Sequence, residues 1–338
     1  MVADCKGRIK VSKAMKVFTI SVFILLLSCI QFLTGCSRSV DLNNTENKKN
    51  IVLVTKMKSG EYWRAVQMGA DAAAKELNAD VELIAPDKET DVKEQINIID
   101  EAINGKVDGI IVAASDYNEL VKVVEKAHKS KIPIVVIDSE VNTDKINSFV
   151  GTDNYNAGKL AGDKLANITG MNAKVLVMNF VRGAENAMQR QAGFTEEILK
   201  YPSIHVLSTK YCDSNADKAY ELTKDTLKNY TAIDSVAALS EEATIGAAKA
   251  IKELGLSGKI NIVGFDNSVE EINMLEKGTI QAIIVQNTFG MGYLGVKEVM
   301  DTIEGKKVIK YIDTGCLVID KDNMFIPENQ KLLFPFVK

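Results

Sequence analysis

The sequence predicts an α/β protein of two doubly wound parallel-sheet lobes with a ligand cleft between them. Three observations lead there. From residue 51 onward, short runs rich in Ile and Val alternate with patterns whose apolar residues recur every three or four positions. That alternation marks strand–helix–strand units and a parallel sheet. The units fall into two sets of similar size, meeting near residues 151–154, and each set is large enough for its own sheet with helices on both faces. A chain of 338 residues also has room for two domains of ordinary size.

The elements follow in chain order. Lys6, Arg8, Lys10, Lys13 and Lys16 precede an apolar run over 17–33, which ends in Leu33-Thr34-Gly35-Cys36. A basic region, a short apolar core and small residues before a cleavage point make a secretory signal. The Leu-Thr-Gly-Cys box resembles that of a bacterial lipoprotein, which implies cleavage before Cys36 and a lipid on its thiol. An uncleaved anchor is the other reading, since the run lies near the lower limit for a membrane span. Met15 is a second candidate start. Either way the remainder is expected outside the cell membrane, tethered to its outer face or in the periplasm. Residues 36–50 are mostly polar, a flexible tether.

The first set then reads as strand 51–55, helix 61–77, strand 80–84, helix 90–103, strand 109–113, helix 117–129 and strand 133–137. Gly105 stops the second helix and Pro133 opens a strand. A short strand at 148–150 leads to the second set. That set is helix 154–167, strand 174–178, helix 186–199, strand 205–209, helix 216–228, strand 235–239, helix 242–254 and strand 260–264. A short helix at 269–276, strand 280–285, helix 288–304 and closing strands near 308–312 and 317–319 complete it.

The loop after the first strand carries Ser59-Gly60, and the helix that follows opens with Tyr62 and Trp63, the latter the only tryptophan. In an open α/β sheet the crevice lies beyond the carboxyl ends of the strands, so this junction faces a ligand. Two rings there suit an apolar ring face, such as the C–H side of a sugar, while their polar edges stay hydrated. Core packing is the other reading of the pair.

Six segments, in order, resemble the periplasmic sugar-binding proteins of the ribose and galactose type. They are VDGII at 107–111, IPIVVID at 132–138, GTDNYNAGKLAGDKL at 151–165, RQAGF at 190–194, IVGFDN at 262–267 and IIVQNTFGMGYLGVKEVMDTIEGKK at 283–307. The family shares its fold with sugar-responsive repressors, but no helix-turn-helix precedes the first strand here. The resemblance implies three hinge crossings, near Thr152/Asp153, Gln286/Asn287 and Thr314/Gly315. One lobe is then 51–152 with 287–314, the other 153–286 with 315–338. The family works by hinge closure around its ligand.

The same resemblance brings together a polar ring. Asp138 and Asp266 each end a buried strand, where an unpaired carboxylate is costly and where adjacent sugar hydroxyls supply donors. Arg190 offers a planar, permanently charged fork. Gln286, beside a hinge, adds one acceptor and two donors. Hydrogen bonds to charged groups contribute roughly 1.5–3 kcal/mol each, so four with aromatic stacking reach the ~8 kcal/mol of a micromolar complex. Strand-end Asp also caps helices, and Arg also pairs on surfaces. The chain departs from the family at four places. Ser139 stands where Arg is common, Ser240 (followed by Glu241-Glu242) where Asn or Asp is, Ala113 where Asn is, and Ser214 where an aromatic is. Lys56, Ser115 and Asp116, also at strand ends, are candidates to compensate.

Composition excludes several classes. With 25% charged and 46% hydrophobic residues, the chain is neither disordered nor multi-spanning. Removing 1–35 takes five basic residues and one acid, leaving a net charge of −8, which argues against nucleic acid. The two histidines, His128 and His205, lack metal spacing, and no GxSxG elbow or phosphate loop occurs. We therefore expect no catalysis, no cofactor and no metal. Cys212 and Cys316, far apart in sequence, are expected buried and free, although pairing in an oxidising compartment is open to them. The resemblance implies a monomeric, lipid-anchored protein that delivers a small sugar to an ABC importer. Its alternative is a sensor that presses, when liganded, on the extracellular domain of a histidine kinase.

Overall fold

The computed structural model describes residues 48–334. The expected secretory signal, Cys36 and nearly all of the expected tether lie outside the described residues.

Two six-stranded sheets form the frame. The first contains β1 (Lys49–Val54), β2 (Ala79–Ile84), β3 (Gly109–Val112), β4 (Ile134–Ile137), β5 (Ser148–Gly151) and β11 (Tyr311–Asp313). Its order is β11-β5-β4-β3-β1-β2, parallel throughout. The second contains β6 (Asn172–Asn179), β7 (Ser203–Tyr211), β8 (Ser235–Ala238), β9 (Asn261–Phe265), β10 (Ala282–Gln286) and β12 (Cys316–Asp320). Its order is β12-β10-β9-β8-β6-β7, with only β12 antiparallel to its neighbour.

The central strands are apolar on both faces because helices cover both. Every residue of β3 and β4 is buried, as a doubly covered parallel sheet requires. Within β1 the two faces separate cleanly: Ile51 and Leu53 join one core cluster, Val52 and Val54 the other. That is the period of two of an extended chain. Helices α1 (Glu61–Glu76), α2 (Val92–Asn104), α3 (Val121–Lys129) and α9 (Thr288–Ile303) pack on the first sheet. The second carries α4 (Asn154–Ile168), α5 (Glu185–Ile198), α6 (Ala216–Asn229), α7 (Glu241–Glu253), α8 (Val269–Glu276) and α10 (Pro327–Leu333).

Both lobes have helices in backbone contact. Between α4 and α5 a Cβ at Gly158 would collide with the carbonyl oxygen of Arg190, and between α1 and α9 one at Gly69 would collide with that of Phe289. The first contact matters for the site, because it fixes the turn of α5 that carries Arg190.

The chain passes between the sheets three times. It leaves the first after β5 and enters α4, leaves the second after β10 and enters α9, and crosses back between β11 and β12. The crossings are tied side by side: Thr314 N–H donates to Gly151 O at 2.8 Å, and Asp313 Oδ1 accepts from Asp153 and Gly315 N–H at 3.1 and 2.8 Å.

Several element limits differ from the sequence reading. The helix expected from 117 starts at Val121, because Asp116 Oδ1 accepts the N–H groups of Asn118 and Glu119 and holds a turn there. Lys49 and Asn50, assigned to the tether, belong to β1 and pair with Ala79 and Asp80. Helix α10, opened by Pro327, was not anticipated at all.

Candidate functional site

The site grows from two matching strand ends. After β4 the backbone turns to φ 63° at Asp138, and after β9 it turns to φ 78° at Asp266. Aspartate is among the few residues with a Cβ that accept this left-handed region. Each turn is pinned by its own N–H, Asp138 to Val150 O at 3.1 Å and Asp266 to Ile284 O at 2.9 Å. Both carboxylates thereby line one cleft between the sheets.

On the first-lobe side Tyr62 Oη donates to Asp138 Oδ1 at 2.6 Å. Lys56 Nζ lies 3.0 Å from Asp138 Oδ2 and 3.2 Å from Glu89 Oε1. Lys56 is only 1% exposed. Burial by itself lowers the pKa of such an ammonium, but Asp138 and Glu89 overcome that and leave it raised. Burial, helped by Asp138, likewise pushes the Tyr62 hydroxyl well above its ordinary value. Trp63 meets Tyr62 edge to face, ring centres 5.0 Å apart. Its indole is buried in the first-lobe core and also lines the cleft.

On the second-lobe side Gln286 Nε2 donates to Asp266 Oδ1 at 2.7 Å, and Glu241 N–H donates to Oδ2 at 3.0 Å. Arg190 Nε donates to Asn154 Oδ1 at 2.9 Å and Nη1 to Leu239 O at 2.8 Å, with its guanidinium 4.5 Å from the centre of the Phe265 ring. Burial raises the pKa of Asp266 against the pull of Arg190. Ser240 caps α7, accepting Ala243 N–H at 3.3 Å. The next two residues, Glu241 and Glu242, line the cleft. Burial pushes Glu241 up to about 8, with Glu242 and Asp266 adding to it. Glu242 is pushed up to about 7, again by burial, with Glu89 and Asp266 adding.

The two sides touch. Asn186 Nδ2 donates to Asp138 Oδ2 at 3.2 Å while its Oδ1 accepts from Lys56 Nζ at 3.1 Å. Ser214 donates to Glu89 Oε2, Tyr117 N–H to Gly183 O at 2.9 Å, and Val269 N–H to Glu61 Oε2 at 3.1 Å.

Of the residues singled out from sequence, Lys56, Tyr62, Trp63, Asp138, Arg190, Ser240, Asp266 and Gln286 line the cleft. Ser139, Ser115 and Asp116 are not among its lining residues. Ser139 is fully buried behind Asp138, its N–H donating to Ile137 O at 2.6 Å. Ser115 is held by Gln95 Oε1, which accepts its N–H at 2.9 Å, and Asp116 is occupied with the turn before α3. Glu89, Phe180 and Asn186 also line the cleft and were missed. They sit on or next to loops after β2 and β6, where no periodic pattern marks a position. Cys212 is buried and free; Cys316 is free but only half-buried, at the start of edge strand β12. Among the described residues no group of His, Cys, Asp and Glu is arranged to hold a metal ion.

Two α/β lobes that meet over a cleft, each contributing a strand-end carboxylate, define a two-lobed solute-binding protein. The chain belongs to the periplasmic binding protein family, whose domain model matches residues 51–307. This is a family of solute binders, not of enzymes. The chain is 27% identical over 286 residues to a D-ribose/D-allose-binding protein of Pseudomonas aeruginosa, covering 81% of this chain and 89% of that one. A solved ABC transporter solute-binding protein of Agrobacterium vitis with bound D-fucose is 33% identical, with a TM-score of 0.82 over 84% of this chain and 99% of that one. Another, from Agrobacterium radiobacter in complex with D-arabinose, is 32% identical, with a TM-score of 0.83 over 86% and 100%.

Proposed function

We propose that this protein is an extracytoplasmic receptor that closes its two lobes on a small sugar, a pentose or hexose, and presents it to an ABC importer. The observation that carries the reading is the pair of buried strand-end carboxylates, Asp138 and Asp266, facing one cleft with Arg190, Gln286 and the Trp63 ring. Carboxylates accept from neighbouring hydroxyls, the guanidinium and amide complete the polar ring, and the indole covers the C–H face. The relatives described as sugar-binding proteins and ABC transporter components support both the ligand class and the importer.

In this reading the lobes are 51–152 with 287–314 and 153–286 with 315–338, rocking about the three tied crossings. The contacts between Asn186 and Asp138, and between Ser214 and Glu89, hold the closed form. The permease reads surfaces of both lobes at once, so only the closed form is recognised. A lipid on Cys36, supported by the Leu-Thr-Gly-Cys box, keeps the monomeric receptor beside its permease.

The test is a thermal-shift screen of the protein against pentoses and hexoses. Stabilisation grows with the logarithm of ligand over dissociation constant. A shift with at least one sugar is the expected result. The absence of any shift across the panel rejects the proposal.

A further inference from the structure

We infer that the ligand is an amino-bearing sugar or polyol, whose ammonium group seats against Glu241, Glu242 and Gln286 on the second-lobe side of the cleft. The inference rests on the reading of the cleft as a polyol site and narrows it to a charge class.

Two cations and five carboxylic acids line the cavity. Both cations are anchored by the protein itself. Lys56 lies between Asp138 and Glu89 and donates to Asn186. Arg190 is fixed by Asn154 and Leu239 O and stacks on Phe265. On the other side, the charges that weigh on Glu241 and Glu242 are further carboxylates, Glu61, Glu89 and Asp266. Yet these two acids occupy the first turn of α7, where unpaired backbone N–H groups favour anions. This side of the cavity therefore gathers acids, none of them reached by an ion pair from Lys56 or Arg190.

An independent observation points the same way. Gln286 is 1% exposed, and its Oε1, in the lining of the cavity, has no hydrogen-bond partner. The orientation of the amide follows from its neighbour: Nε2 donates to the Asp266 carboxylate, so the acceptor end is the one left over. This wall thus presents acceptors in want of donors. A sugar hydroxyl brings one donor and its own lone pairs; an ammonium brings three donors, no lone pair and a positive charge. Charge-assisted bonds to a desolvated carboxylate are about twice as strong as neutral ones.

The experiment uses the purified full-length protein and a panel of monosaccharides and inositols. Each is paired with its amino-deoxy counterpart and with the N-acetylated form of that amine, which keeps the nitrogen but removes its charge. Calorimetric affinities are the readout. At least one amino-deoxy compound is expected to bind about tenfold or more tighter than both its hydroxyl parent and its acetylated form. The Glu241→Gln and Glu242→Gln variants narrow that ratio, and their folding is checked by thermal midpoint without ligand. The wild-type ratio decides the matter even if a variant does not fold. Neutral parents that bind as tightly as their amines in every pair overturn the charge assignment and leave the polyol site standing. No binding by any compound overturns both.

Discussion

Asp138 and Asp266 use one backbone device in two different settings, and the contrast is instructive. Each follows a buried strand, turns to positive φ and is held by one N–H. Asp138 is met by a buried ammonium, a phenol and an amide, so its charge is balanced before any ligand arrives. Asp266 is met by an amide and a backbone N–H, with Glu241 and Glu242 close by and the pull of Arg190 but no ion pair. The first side is a finished ion-pair network that positions a carboxylate. The second leaves an amide acceptor and buried acids without ion-pair partners. Repeating a fold twice thus duplicates where the carboxylate stands but not what it is ready to bind.

Substitution sharpens the comparison. Lys56→Met gives the largest effect expected, because it strands Glu89 and Asp138 as buried carboxylates without their cation. Breaking a buried pair in this way costs about 3–5 kcal/mol, read as a lower urea midpoint. A variant as stable as the wild type would show that the first side does not depend on its cation. Next come the two aspartates. Asp138→Asn lowers the melting temperature, since Lys56 loses a counter-ion, and reduces sugar affinity about a hundredfold, the weight of two charged hydrogen bonds. Asp266→Asn reduces affinity similarly but lowers the unliganded melting temperature less, because no ion pair is broken there and only one of the two N–H donors, from Gln286 or Glu241, loses its acceptor. Equal stability losses in the two variants would erase the distinction drawn above.

The pH dependence tests the same point. Glu241 and Glu242 have folded values of about 8 and about 7, raised from near 4.5. Between those limits the folded state binds more protons than the unfolded state, so stability falls as pH rises. The unliganded protein is therefore expected to melt higher at pH 5.5 than at pH 8, with Glu271, raised well above its ordinary value by burial and by Glu241, acting in the same direction. The smallest effect is optical. Trp63 lines the cleft, so its fluorescence shifts on ligand addition; a silent tryptophan with a proven ligand removes it from the site.

Much of this was legible in the sequence because strand ends are legible. A run such as IVVID at 134–138 states where a buried strand stops and which side chain stands at its mouth. The lobes followed from two such series. Asp138, the first residue past β4, lines the cleft, whereas Asp116 is taken up by the turn before α3, Ser115 is held by Gln95, and Ser139 packs behind Asp138. Lys56 shows the opposite case. It lines the cleft as a candidate, but its partner Glu89 lies on a loop that no pattern marks, so a buried ion pair was read as a free anchor. Asn186, which bridges Lys56 and Asp138 across the lobes, was equally invisible, because its role exists only when the lobes meet.

The most direct test of the central claim, that a sugar sits between the two strand-end carboxylates, is titration calorimetry. It would use the sugar found by the screen with wild type, Asp138→Asn and Asp266→Asn. The account predicts that each substitution, made on opposite lobes, cuts affinity by about two orders of magnitude while the variants remain folded. Wild-type affinity in either variant would place the ligand outside the cleft and contradict it.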